Sequence, residues 1–387
     1  MTGHGRAGGH VVIASDKFKG SLTAAEVAEH VAAGLGPRVR TVAVPVADGG
    51  DGTVDAVVSR GLTRVRVEVP GPTGEPVTAA YAWRPAAPDG DGPVAVIELA
   101  EASGLRRLPA GPAPLTASSH GTGVLIGHAL RRGARRIVLG LGGSACTDGG
   151  AGMLQALGVR LLDEAGRDLP PGGAALRRLA RIDVSGLRAG AEVVVASDVD
   201  NPLLGPHGAA AVYGPQKGAS PADVAVLEEG LSRFARVAAR TVGEGDGVPY
   251  AERPGAGAAG GVGFAAMAFL GARIEPGIRY LLGVLGFDAL LDGARLVITG
   301  EGSLDEQTLR GKAPAGVAEA AGRRGVPVIA VCGRRTLDDD RLRAAGIRAA
   351  YALTDLEPDP DVCIAHAGPL LERLAARIAA TEPELRT

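Results

Sequence analysis

Lysine is almost missing from this chain: four of its 41 basic residues are lysine and the other 37 are arginine. None of the four sits in ordinary surface sequence. Lys17 and Lys19 fall in Ser-Asp-Lys-Phe-Lys-Gly-Ser, Lys217 in Gly-Pro-Gln-Lys-Gly, and Lys312 in Arg-Gly-Lys-Ala-Pro. Arginine is a planar fork suited to two-point contacts, whereas lysine is a compact charge that can meet a phosphate oxygen end-on. Lysines retained beside glycines in loop-like stretches point to an anion-handling site.

Other shortages exclude whole classes. Aromatic residues make up 3% against 46% hydrophobic, so the core must be built from Ala, Val, Leu and Ile. The three cysteines, Cys146, Cys332 and Cys363, are widely spaced and odd in number. That excludes a disulfide framework and zinc-type spacing, and fits a reducing cytoplasm. A net charge of -2 excludes a general nucleic-acid binder, which carries a basic face. Residues 1–10 lack the apolar core of a signal peptide. The stretch 255–272 is apolar but mostly Gly and Ala, with Arg253 and Arg273 close by. A spanning helix needs about 20 strongly apolar residues, so this stretch is expected to be a tightly packed internal helix, with no membrane partner.

What is present is a repeating pattern over 387 residues, enough for two domains. Short β-branched runs lead into Gly-rich polar turns and then Ala-rich helical segments. Strands are expected at 11–14, 41–46, 137–141, 192–196, 296–299 and 326–331. Thr23 and Glu26 form a capping box opening a helix with Val27, Val31 and Leu35 on one face. Another helix is expected at 314–324, and one after Gly142-Gly143-Ser144 ending at Gly158. Residues 65–83 alternate as a β-hairpin, and 85–92 reads as a loop or linker. Strands alternating with helices imply an α/β fold with parallel sheets, whose ligands bind beyond the carboxyl ends of the strands. Boundaries fall near residues 66 and 290, compatible with consecutive domains or with an insertion.

Four loops carry chemistry besides the lysine-bearing ones. Gly140-Leu-Gly-Gly-Ser-Ala145 matches a dinucleotide fingerprint, with Asp163 placed as a ribose-binding acid would be. The same glycine turn at a helix start would bind any phosphate. No P-loop motif occurs. Asp48-Gly-Gly-Asp51-Gly-Thr53 sets two carboxylates on a glycine-rich turn, as Mg²⁺ requires when it keeps waters and substrate phosphates; either Asp alone also fits an Asx turn. Asp198 in Ser197-Asp-Val-Asp-Asn201, and Glu301 in Gly300-Glu-Gly-Ser303 with Asp305, could each be a general base, a metal ligand or a helix cap. Cys146 lacks a neighbouring His in sequence for a thiol nucleophile, and His120 reads as a turn residue.

Taken together, these loops resemble the glycerate kinase type 1 family, the bacterial glycerate 2-kinases, from about Val11 to Gly333. The matching stretches are Asp-Lys-Phe-Lys-Gly-Ser-Leu (16–22), Val-Ala-Asp-Gly-Gly-Asp-Gly-Thr (46–53) and Gly-Gly-Ser-Ala-Cys-Thr-Asp-Gly-Gly-Ala-Gly (142–152). Ser-Asp-Val-Asp-Asn-Pro-Leu (197–203), Gly-Pro-Gln-Lys-Gly-Ala (214–219), Gly-Ala-Gly-Ala-Ala-Gly-Gly (255–261) and Ile-Thr-Gly-Glu-Gly-Ser-Leu-Asp-Glu-Gln-Thr (298–308), with Gly-Lys (311–312), follow in order.

The resemblance implies phosphorylation of D-glycerate by ATP with Mg²⁺, giving 2-phosphoglycerate in the cytoplasm. It implies a flavodoxin-like parallel-sheet domain from both chain ends (1–66 and 290–387), an inserted mixed α/β domain (67–289) and an active site in the cleft between them. Small molecules are the partners, and homo-oligomerisation is left open. On this basis Lys17, Lys19 and the Gly142, Gly143, Ser144 turn would hold phosphates, and Asp148 of the same matched segment would be a further nucleotide-binding residue. Asp48 and Asp51 would hold Mg²⁺. Asp198 would orient or deprotonate the substrate hydroxyl, with Glu301 its rival. Lys217 and Lys312 would neutralise the transferring phosphoryl group or the glycerate carboxylate. The chain departs from the family at Cys146-Thr147, where Thr-Asn is usual, at Val124, where Glu is usual, and before Thr116, where Arg-Asn-Pro is missing. These positions bear on substrate preference. A nicotinamide-dependent oxidoreductase built on 140–145 and Asp163, a non-catalytic metabolite sensor, and a kinase for a related hydroxy acid are the competing readings.

Overall fold

The structure is a computed structural model describing residues 9–86, 92–243 and 249–385. Part of the expected loop at 85–92, residues 87–91, lies outside the described residues. The strands in chain order are β1 (His10–Ser15), β2 (Thr41–Ala43), β3 (Thr63–Pro70), β4 (Pro76–Arg84), β5 (Val94–Glu98), β6 (Arg136–Gly140), β7 (Arg160–Leu162), β8 (Arg181–Asp183), β9 (Glu192–Ala196), β10 (Arg273–Glu275), β11 (Ala294–Leu304), β12 (Val328–Arg335) and β13 (Ala349–Ala352). Helices alternate with them, so the chain is α/β. The described residues divide into two compact units: Met1–Asp48 with Asp55–Arg60 and Pro276–Thr387, and Gly49–Val54 with Gly61–Glu275.

In the first unit five strands form an all-parallel sheet in the order β13-β12-β11-β1-β2. Counted along this unit alone and read from β2, that is 2-1-3-4-5, the flavodoxin-like winding, whose direction reverses between β1 and β11. A parallel sheet is covered on both faces, so its strands are continuous apolar runs; Val11, Val12, Ile13, Val297 and Ile298 are all fully buried. The helix Ala24–Leu35 begins on the expected box: Thr23 Oγ1 accepts from Glu26 N at 3.3 Å, and Thr23 N donates to Glu26 Oε2 at 2.8 Å. Its Val27, Val31 and Leu35 pack with Leu371, Leu374 and Ile378 of the helix Ala367–Thr381 against β1. Strand β2 stops at Ala43, short of the expected 46. The chain nonetheless stays alongside β1, with Val44 N donating to Ile13 O and Val46 N to Ser15 O.

The second unit has a six-stranded mixed sheet, β10-β9-β6-β5-β4-β3, and the small antiparallel pair β7-β8. β3 and β4 are the expected hairpin, antiparallel to each other, and β4 is antiparallel to β5; β5, β6, β9 and β10 are parallel. The scarce aromatics concentrate here. The Phe234 ring meets Phe264 edge-on at 5.5 Å and stacks on Phe269 at 6.2 Å. Phe234 lies on the helix Pro221–Val242, opened by a Ser220–Asp223 capping box and Pro221 in its first turn.

Two expectations need correction. The apolar stretch 255–272 is an internal helix, Ala258–Leu270, but its first turn is not regular: Ala259, Gly260 and Gly261 have φ of 52°, 68° and 94°. A Cβ on Gly260 would lie 2.2 Å from the Cys146 carbonyl oxygen, so close backbone approach shapes this turn. Second, no helix begins at Ser144. The next helix is Ala151–Ala156, because Asp148 folds the intervening backbone around its own carboxylate.

Candidate active site

In the first unit, the carboxyl ends of β1 and β11 meet at the winding reversal, where such sheets bind ligands. Thr299 Oγ1 donates to Ala14 O at 2.8 Å and Asp16 N to Gly300 O at 2.9 Å, so the two strand ends are tied together. Beyond β1 the buried Phe18 anchors a tight turn, with Phe18 N donating to Leu22 O and Ser21 N to Phe18 O. Lys19 is held exposed on that turn. A Cβ on Gly302 of β11 would lie 3.2 Å from the Lys19 amide nitrogen, which places the turn against β11.

Two carboxyls are desolvated at this point, Glu301 buried and Asp16 partly exposed. Asp16 is raised to about 6, mainly by burial, opposed by Lys17, whose ammonium stands 4.0 Å away, and reinforced by Asp48. Glu301 is raised to about 7, again mainly by burial, against the pull of a Thr308 hydroxyl bond and of Lys312. Lys312 Nζ is 3.9 Å from Glu301 Oε2. Lys312 occupies the cap position of the helix Ala313–Arg323, with Pro314 fixing its first turn. The expected Lys17, Lys19, Asp48, Glu301 and Lys312 thus share one end of one sheet, with Asp16 among them.

In the second unit, Glu98, Gly140 and Ala196 lie in register at the carboxyl ends of β5, β6 and β9. The segment Gly49–Val54 is laid across that row. Gly52 N donates to both Glu98 carboxylate oxygens, at 3.2 and 3.1 Å, and Val54 N to Oε2 at 3.2 Å. Burial first, then Asp51 and Glu101, raise Glu98 to about 7 against these bonds. Gly49 and Gly140 are required by contact: a Cβ on Gly49 would stand 2.3 Å from Ala196 O, and one on Gly140 2.4 Å from Gly49 O. Gly142 N donates to Gly49 O at 3.2 Å. Asp51 pairs with Arg106 at 3.0 Å. Asp198 follows β9 by two residues, after Ser197, whose amide donates to Glu275 O of β10.

Two other expected residues lie behind the 142–147 loop. Lys217 is 2% exposed; its Nζ donates to Cys146 O at 2.6 Å and to Ser144 Oγ at 2.9 Å. Burial lowers its pKa, with Cys146 and Asp148 opposing the shift. Asp148 is fully buried and accepts from Ser119 N (2.8 Å), Ser119 Oγ (2.9 Å), Gly150 N (3.0 Å) and Gly152 N (3.1 Å). It organises backbone. Asp163, the acid of the dinucleotide pattern, closes a local turn instead, accepting from the Ala165 and Arg167 amides at 2.9 Å. Cys146 and Cys332 are buried thiols held above the ordinary thiol range by desolvation, which keeps them in the unreactive protonated form.

Sequence reasoning passed over Asp16 and Glu98. Asp16 stands in the quoted Lys-rich stretch just after a strand, which is the available signal; Glu98 precedes no glycine turn and has none. Among the described residues no three His, Cys, Asp or Glu side chains are grouped to hold a metal ion, and no helix is long and apolar enough to cross a membrane.

The glycerate kinase family profile matches residues 11–382. A glycerate kinase of Bacillus subtilis (strain 168) is 44% identical over 379 residues, covering 96% of this chain and 97% of its own. The glycerate 2-kinase of Escherichia coli (strain K12) is 44% identical over 352 residues, covering 89% and 90%. A crystal structure from Salmonella typhimurium LT2, described as a glycerate kinase 2, superposes with a TM-score of 0.80 at 42% identity, covering 96% of this chain and 97% of that one. With that agreement along nearly its whole length, the chain belongs to the glycerate kinase family.

Proposed function

We propose that this kinase transfers the γ-phosphoryl group of ATP, as the Mg²⁺ complex, to the 2-hydroxyl of D-glycerate, releasing 2-phosphoglycerate and ADP. The observation that carries the reading is the pairing of Glu301 with Lys312 at the β1/β11 strand ends. A proton acceptor near neutrality and a cation stand within 4 Å of each other where a flavodoxin-like sheet receives its ligand. Phosphoryl transfer asks a protein for positioning and charge stabilisation more than for covalent chemistry, and these groups supply that. The cytoplasm, where three free thiols stay reduced, suits the reading.

We assign the proton acceptor to Glu301 rather than Asp198, because a carboxyl held near 7 can take a proton and return it at physiological pH. Lys19 and Lys312 meet phosphoryl oxygens, and Lys17 keeps Asp16 ionisable. Mg²⁺ needs only one or two carboxylates when phosphates and waters complete its shell. Asp48, which raises the neighbouring Asp16 carboxyl, and Asp51, paired with Arg106, are the candidate ligands. When bound, the ion would screen the phosphate charge.

The test is ADP release in a coupled assay with Mg-ATP and a panel of D-glycerate, L-glycerate, glycolate and D-lactate. D-glycerate should give the highest kcat/KM, with activity abolished by EDTA and restored by Mg²⁺. A faster rate with another hydroxy acid would transfer the assignment to that acid. NADH binding without ADP release would favour the oxidoreductase reading.

A further inference from the structure

We propose that Lys217 and Ser144 form a functional couple in which the buried ammonium holds the Ser144 hydroxyl as a dedicated donor to an anionic oxygen of the bound ligand. Lys217 is then a positioning residue that never touches the ligand. The identity of the ligand rests on the phosphoryl-transfer reading above; the geometry does not.

Both side chains are buried, Lys217 at 2% exposure and Ser144 at 7%. The Lys217 ammonium spends its hydrogen bonds on two neutral oxygens, Cys146 O at 2.6 Å and Ser144 Oγ at 2.9 Å. An ammonium has no lone pair, so Ser144 can only accept from it. A hydroxyl that accepts there still has its one proton to give, and among the described residues no protein acceptor takes that proton. The loop backbone is meanwhile fixed from the opposite side: Leu105 N donates to Gly143 O at 3.0 Å and Ala145 N to Ser103 O at 2.9 Å. Ser144 is therefore a rigidly placed donor at the carboxyl end of β6, on a loop pinned on both flanks.

The buried charge argues in the same direction. Taking an ammonium out of water against two neutral acceptors is costly. Asp148 offsets it only through the field, without a hydrogen bond to it. An anion bound over Ser144 would complete the compensation. The geometry also explains a surviving lysine in an arginine-rich chain: one nitrogen must reach two oxygens end-on inside a closed space, and a planar five-donor guanidinium would bring unmet donors with it.

The anionic oxygen can come from a nucleotide phosphate or from the substrate carboxylate, and calorimetric titration separates them. Wild type, Ser144→Ala, Ser144→Thr, Lys217→Met and the Ser144→Ala/Lys217→Met double variant are titrated with Mg-ADP, inorganic phosphate and D-glycerate. Ser144→Ala should weaken one class by about 10- to 100-fold, the range for a hydrogen bond to a charged group. Loss for Mg-ADP and phosphate identifies a phosphoryl oxygen; loss for D-glycerate alone identifies the carboxylate. Ser144→Thr, which keeps the hydroxyl, should stay within about threefold, and the double variant should be no weaker than Lys217→Met by more than about twofold. Unchanged binding of all three ligands by Ser144→Ala, or fully multiplicative effects in the double variant, overturns the couple. Should Lys217→Met not fold, the Ala and Thr variants at 144 decide alone. Because binding is the readout, a wild type that binds anions without turnover would count against the proposed reaction and leave this comparison intact.

Discussion

The carbonyl oxygen of Gly49 lies 2.4 Å from where a Cβ on Gly140 would stand. Backbone therefore rests on backbone where Gly49–Val54 crosses the end of β6, and no side chain fits between them. Gly140→Ala must displace one or the other. Overpacking of this kind costs about 1–3 kcal/mol, so the unfolding free energy from denaturant titration should fall by that amount. Steady-state activity should fall further, because the displaced segment carries Asp51 and abuts the 142–147 loop. Wild-type stability and rate in this variant would contradict the close packing.

The buried carboxyls make stability depend on pH. Asp16 is raised to about 6 and Glu98 and Glu301 to about 7, while an unfolded chain titrates them near 4. The folded state holds these protons more tightly. Their contribution is therefore fully present below the unfolded values and lost as pH rises through 6 and 7. Urea midpoints should fall between pH 5 and pH 8, and Glu301→Gln should flatten part of that slope. An unchanged slope in Glu301→Gln would remove Glu301 from the account.

The same substitution separates the two candidate bases. Glu301→Gln should lower kcat by about 10²–10⁴-fold, the usual contribution of general-base catalysis, and abolish the rise of kcat/KM through pH 7. Asp198→Asn should leave that rise in place. The opposite pattern would return the role to Asp198.

Lys19 is exposed on its turn and Lys312 is about one-third exposed at its helix cap. Replacing either with arginine should leave Tm within about 2 °C, as surface changes do. It should lower kcat/KM for Mg-ATP by about tenfold or more, since a guanidinium approaches phosphate in a different geometry. Wild-type kinetics in both variants would defeat the argument drawn from the scarcity of lysine.

All three cysteines are buried and free. An aromatic disulfide reagent should label none of them quickly in the native protein and three per chain in denaturant, because desolvation keeps each thiol protonated. Rapid native labelling of Cys146 would reopen its case as a nucleophile.

Local chemistry explains how much of this was legible. The Thr23–Glu26 box, the β3–β4 hairpin and the Gly-rich loops at strand ends depend on residues close in sequence, and all were readable. The helix expected directly after Ser144 was not, because its start is set by Asp148 reaching Ser119, 29 residues away. Glu98 gave no sign for the same reason: its partners, Gly52 and Val54, lie more than 40 residues upstream. The lysines stood out by composition, yet nothing in the sequence distinguished the exposed Lys19 from the buried Lys217. Burial is a property of the whole core, set by residues far apart in sequence.

Phosphoryl transfer to the 2-hydroxyl of D-glycerate leaves its product in solution, where it can be identified. The purified chain incubated with Mg-ATP and D-glycerate, followed by phosphorus NMR, tests it most directly. Stoichiometric ADP and the resonance of 2-phosphoglycerate are expected. A 3-phosphoglycerate resonance, or unchanged ATP, would contradict transfer to the 2-hydroxyl.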